Sequence, residues 1–282
     1  MKRLSIQGLA GVAILAATTV ITVAAVCVTE VVTETDVVRQ QENTPPLSSW
    51  VLYTRTPASI GQFVIGPEQP PLGIGSLALQ TPTGGDKVTL FNYDHVGTAL
   101  SDITAIGYAT YRDADSLTGS PFQVPSINIQ VDYNGAAADG FTSLVFEPVY
   151  NTDQGNVVDG EWQTWDAYNG GNAIWWSSRA IPGVCAFECF VTWNAILAAN
   201  PDAVILGGFG INQGSGNGGL IAAADSLKLA YGDDCVTYDF EPFRVPGSAD
   251  ACKNGGWRTT RRADGSAFKN QGDCIQYVNT GK

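Results

Sequence analysis

From Trp50 onward the chain is written in short apolar runs, each cut off by a cluster of turn-forming residues: "TPTGGD", "YNGAAADG", "YNTDQGN", "YNGGN", "NQGSGNGG" and "YGDD". Gly, Asn, Asp and Pro at this density interrupt helices and favour tight turns, so the runs between them read as β-strands. The expected strands cover 50–54, 76–80, 87–91, 105–111, 126–133, 143–149, 160–167, 174–178, 203–210, 220–229 and 235–240. Several alternate with period two; "INIQVDY" puts Ile127, Ile129 and Val131 on one face. One segment, "VTWNAILAANPDA", breaks the alternation. Thr192 is a natural N-cap there, Trp193, Ile196 and Leu197 share a helical face, and Pro201 follows the end. About eleven strands, one short helix and no βαβ rhythm predict an all-β fold of two antiparallel sheets packed face to face, with a jelly roll as the expected topology.

The ends set the domain boundaries. Lys2 and Arg3 precede an uncharged apolar stretch from Leu9 to Val28, so residues 1–29 read as a signal peptide or an N-terminal hydrophobic anchor helix. Val23-Ala24-Ala25 offers small residues for cleavage, and Cys27 raises a lipoprotein reading, against which Val26 stands at the position where Gly, Ala or Ser is wanted. Residues 30–47, polar and closed by Pro45-Pro46, read as a linker, 48–243 as the sandwich, and 244–282 as a tail. The chain is expected to be secreted or displayed at the cell surface, with membrane contact only through an uncleaved N-terminal segment. Charge divides along the same line. Residues 48–243 carry 20 acidic and 5 basic side chains, and residues 244–282 carry 3 acidic and 7 basic ones. The formal net charge of -12 over 282 residues excludes nucleic acid as a partner, because phosphate binding needs clustered Lys and Arg.

Six cysteines, at 27, 185, 189, 235, 252 and 274, suit an oxidising compartment. Cys185 with Cys189 closes a small loop, and Cys252 with Cys274 brackets a tail too small to build much of a core. Cys235 lacks a partner if Cys27 leaves with a signal peptide. Zinc is disfavoured, because the single His, His95, is remote and no C-x-x-C pair exists.

The stretch "TWNAILAANPDAVILGGFGINQGSGNGGLIAAADSLKLAYGDDCVTYDFEP" resembles the C-terminal half of jelly-roll domains of exported bacterial proteins. The likeness rests on Pro201-Asp202, Gly214-Ser215-Gly216, Asp225 and the closing Thr237-Tyr238-Asp239-Phe240-Glu241. "FTSLVFEPVYN" and "EWQTWDAYNGGNAIWW" share it, so that it spans about two thirds of the chain. These domains are similar to concanavalin-like and carbohydrate-binding jelly rolls, many without an assigned activity, so the resemblance implies fold more than function. Cys235 departs from the pattern, which has Ser or another small polar residue there. "CKNGGWRTTRRADGSAFKNQGDCIQYV" looks like a C-terminal segment found on otherwise unrelated exported bacterial proteins.

Three constellations could carry chemistry. Trp162, Trp165, Tyr168, Trp175 and Trp176, with Asp166, Asn169 and Asn172, combine aromatic plates for the apolar face of a sugar with groups that bind hydroxyls; the competing reading is core packing. Glu147, Glu161, Asp166 and Glu241 are the carboxylates from which a glycosidase would need a pair about 5 to 9 Å apart. A Ser-His-Asp triad would have to use His95, and no G-x-S-x-G precedes a helix. Asp113, Asp115, Asp233, Asp234 and Asp239 could contribute to a structural calcium, the one candidate cofactor, although no EF-hand spacing is present. The basic tail, with Arg258, Arg261, Arg262 and Lys269, could meet an anionic polymer or the acidic body itself. "NQGSGNGG" lies between strands and is no phosphate loop. The expected function is a non-catalytic, lectin-like sandwich binding a glycan or another cell-surface component. The alternatives are a carbohydrate-active enzyme, a hydrolase or lyase, on the same fold, and a surface protein with only a structural or partner-binding role.

Overall fold

A computed structural model describes residues 26–42, 44–117, 123–135, 140–187 and 189–282. Its strands are β1 (Val28–Val32), β2 (Val37–Arg39), β3 (Trp50–Thr54), β4 (Ile60–Ile65), β5 (Gly75–Thr81), β6 (Lys87–Asn92), β7 (Ile103–Arg112) and β8 (Ser126–Asp132). They continue through β9 (Phe141–Phe146), β10 (Trp162–Asp166), β11 (Ile174–Ser177) and β12 (Val191–Thr192). After helix α1 (Trp193–Ala199) come β13 (Val204–Gly214), β14 (Leu220–Tyr231) and β15 (Asp234–Phe240), and helix α2 (Gln271–Thr280) closes the chain.

The strands form two sheets. The first is built on the long strand β14: β7 pairs along one side and carries β10, while the other side is shared by β5, which holds β4, and β15, which holds β1. The second sheet runs β12-β11-β9-β8-β13-β6-β3-β2. Alternation puts Ile127, Ile129 and Val131 of β8 and Phe209 and Ile211 of β13 into the core. From the first sheet Leu77, Leu79, Ile106, Tyr108 and Leu229 meet them. The result is a mostly β, two-sheet sandwich compatible with a jelly roll. Helix α1 begins at the expected cap, the Thr192 hydroxyl accepting from the Ala195 amide, and it buries Trp193 and Ile196. The sheets are not wholly antiparallel: β1 runs parallel to β15, and β2 parallel to β3.

The N-terminal region differs most from its expected form. The signal or anchor assignment falls mainly on residues 1–25, which lie outside the described residues. Val28 and Thr29, placed with that segment, belong to β1, and the expected linker of 30–47 contains the rest of β1 and all of β2. Cys27 is bonded to Cys235, giving Cys235 its partner and leaving no Cys27 thiol for lipid attachment. Cleavage at Val23-Ala24-Ala25 would leave this bond intact. The Cys185–Cys189 and Cys252–Cys274 bridges form as expected. Three disulfides are typical of extracellular proteins. Among the described residues no helix is long and apolar enough to cross a membrane.

The tail builds its own small core around the Cys252–Cys274 bridge and Phe268. The Arg262 guanidinium lies 4.6 Å from the Phe268 ring centroid and 2.7 Å from Asp273. Helix α2 was not expected, although its signals are local: the Asn270 side chain caps the Asp273 amide, and Gly281 ends the helix in a left-handed conformation.

Candidate functional site

The outward face of the second sheet carries a cleft of about 320 Å³. Trp176 leaves β11 on the side opposite the buried Trp175, as successive strand residues must. Its indole N–H donates to Glu147 Oε2 at 2.9 Å, and its ring lies 5.5 Å from that of Phe187, 61% exposed, at an interplanar angle of 40°. Together the two rings make a partly open aromatic shelf.

Amides lie beside the shelf. In the β8–β13 pairing Ser126 faces Asn212 and Asn128 faces Gly210, so Ser126, Asn128 and Asn212 share the outward face. The Ser126 hydroxyl donates to Asn128 Oδ1 at 3.0 Å and accepts from Asn212 Nδ2 at 3.1 Å. Asn212 lines the cleft, and its Oδ1 is buried without a hydrogen-bond partner among the described residues. Lys87, ion-paired with Glu42, closes one end. Burial raises the Glu147 carboxyl above its ordinary range, and the Trp176 N–H partly offsets that shift. Glu147 is the one carboxylate lining the cleft among the described residues.

The expected sugar-binding set is thus divided. Trp165 and Trp175, at 1% and 0% exposure, are core, and their indole N–H groups donate to the Thr110 hydroxyl and the Ala167 carbonyl. Neither can stack on a ligand. Trp162 is half-buried on the outward face of the opposite sheet, bonded to the Pro67 carbonyl. Asp166, Tyr168, Asn169 and Asn172 build the crossover between β10 and β11: Asp166 accepts from the amides of Tyr168 and Asn169, and Asn172 donates to the Asn169 carbonyl. Only Trp176 of the eight lines the cleft. Phe187, Asn128, Asn212 and Ser126 were not anticipated. The one available signal was polar residues alternating with Ile in "INIQ" and "GINQ".

The candidate carboxylates do not share a pocket either. Glu161 is exposed ahead of β10 and Asp166 is in the crossover. Glu241 is buried on the other sheet, accepting from the amides of Ile74 and Gly75. Beside it Asp239 is raised to about 6 by burial and by Glu241. Asp225, where β14 changes partner from β5 to β15, is raised to about 7 by burial even though it accepts from the amides of Leu72 and Phe240. The calcium candidates fall in three places. Asp113 and Asp115 bond to one another in the turn after β7. Asp233 and Asp234 line a second, acidic cleft with His95, whose ring bonds to the Tyr238 hydroxyl. Asp239 is in the buried set just described. Among the described residues no three metal-ligating side chains converge. Comparison with protein-family models, curated proteins and solved structures finds no match to this chain.

Proposed function

We propose that this chain is an exported, non-catalytic jelly-roll protein that binds a glycan of the cell surface or surroundings across the outward face of the second sheet. The observation that supports this most is the juxtaposition of the Trp176–Phe187 shelf with Asn128 and Asn212 in one cleft. A pyranose stacks its C–H face on such a shelf and gives its hydroxyls to the amides of the cleft. A glycan array tests the reading. The parent should bind a subset of glycans, and Trp176→Ala and Phe187→Ala should each weaken binding by about tenfold or more, the loss of a buried aromatic contact. Trp162→Ala, on the opposite sheet, should leave it unchanged. Equal binding by all three variants removes the proposal.

The enzymatic alternative has one observation in its favour, the raised carboxyl of Glu147 inside the same cleft. Release of reducing ends from a polysaccharide panel, abolished by Glu147→Gln, would support it over binding alone.

A further inference from the structure

We propose that a third cleft, between the body and the C-terminal tail, binds an anionic sugar: a pyranose bearing a carboxylate or a sulfate. The cleft encloses about 630 Å³ where the chain leaves the sandwich at Pro242 and Phe243 and the tail folds back beside it. The Arg261 amide donates to the Arg244 carbonyl at 2.9 Å, which fixes the tail along this exit.

Arg244, Arg258 and Arg261 line the cleft, with Asp36 the single carboxylate residue among the described residues that line it. Asp36 is already committed: both its oxygens accept from Arg244 at 3.0 Å, and it also accepts from the Thr33 amide and hydroxyl. Arg258 and Arg261 have no carboxylate partner among the described residues. Arg258 is held over the Trp257 ring at 5.0 Å, and Arg261 donates to the carbonyls of Arg258 and Thr260. Two positive groups are therefore placed at one cleft of a chain whose net charge is -12. Such a molecule repels polyanions in general, so their capture requires a local site. Guanidinium pairs well with carboxylate or sulfate, while Pro242 and Phe243 offer an apolar plate and Thr35 and Thr259 hydroxyls for the rest of a sugar ring.

The site is separate from the cleft of the second sheet, and its test keeps them apart. Binding of the oxidised full chain to polygalacturonate, dextran sulfate and neutral dextran is measured by affinity electrophoresis for the parent and three variants. The parent should be retarded by one or both polyanions, and the one that retards it identifies the anionic group. Arg258→Gln, which alters an exposed side chain, should weaken that retardation about tenfold, the worth of one charge-assisted hydrogen bond. Lys269→Gln removes the same charge from the tail outside the cleft and should have no effect, nor should Trp176→Ala. The proposal is overturned if neither polyanion retards the parent, if Arg258→Gln binds as the parent does, or if Lys269→Gln or Trp176→Ala weakens binding as much as Arg258→Gln.

Discussion

Asp239 and Asp225 carry the clearest pH signature among the described residues. Both are buried, and both have carboxyls raised in the fold, to about 6 and about 7, above the ordinary value near 3.9. The folded chain therefore holds protons that the unfolded chain has released. Their stabilising contribution is full at low pH and is lost as pH rises through those folded values. His95, lowered by burial, acts in the opposite direction as pH falls below its ordinary value, so the pair must be isolated by mutation. Asp239 Oδ1 lacks a hydrogen-bond partner among the described residues; an Asn amide there can donate to the neighbouring Glu241 at every pH. Asp239→Asn should raise the urea midpoint at pH 8 relative to the parent and flatten the fall between pH 5 and 8. A variant with the parent's slope would mean that this carboxyl titrates normally. The residue scale also shows why Trp165 and Trp175 could not be told from ligand-binding tryptophans: alternation says that one of two neighbours faces inward, and the partner sheet decides which.

At the scale of elements, legibility followed the period. Strand β8, with Ile127, Ile129 and Val131 on the core face, could be read close to its ends because the pattern repeats at every second residue, whereas β3 and β6, buried along most of their length, were legible as short apolar runs bounded by turn residues. Strand β1 could not be read in either way. Its sequence, VTEVV, is exposed at four of five positions, and its place at the edge rests on pairing with β15. Strand β2 has three residues, and β4 is only partly covered. In the same way Trp176 and Glu147 were readable as candidates, whereas Asn128 and Asn212 became a site only once β8 lay against β13. The Cys27–Cys235 bond spans 208 residues and ties β1 to the body. Closing so long a loop is worth about 5 kcal/mol on chain-entropy grounds, against roughly 2 kcal/mol for the short Cys185–Cys189 loop. Cys27→Ser with Cys235→Ser should lower the melting temperature more than Cys185→Ser with Cys189→Ser, and should first expose the amides of β1 to hydrogen exchange. A smaller loss from the long loop would show that β1 is held by its strand pairing alone.

At the scale of the whole molecule, the sandwich presents two outward faces and one basic appendage. The face of the first sheet is spent near Asp225, Asp239 and Glu241 on holding the loop that leads into β5, through the amides of Leu72, Ile74 and Gly75. The face of the second sheet keeps an open cleft, with the aromatic shelf and the amides on its walls. Arg244 pairs with Asp36, outside the acidic body counted over 48–243, and this contact joins the tail to the turn between β1 and β2. Hydrogen exchange of the intact, oxidised chain with and without a panel of polysaccharides tests the central claim most directly, because it reports where a ligand sits. The account predicts slowed exchange around residues 126–128, 145–147, 174–187 and 210–215, abolished by Trp176→Ala. Protection confined to the crossover at 166–172 or to the loop before β5, or no protection with any polysaccharide, would contradict it.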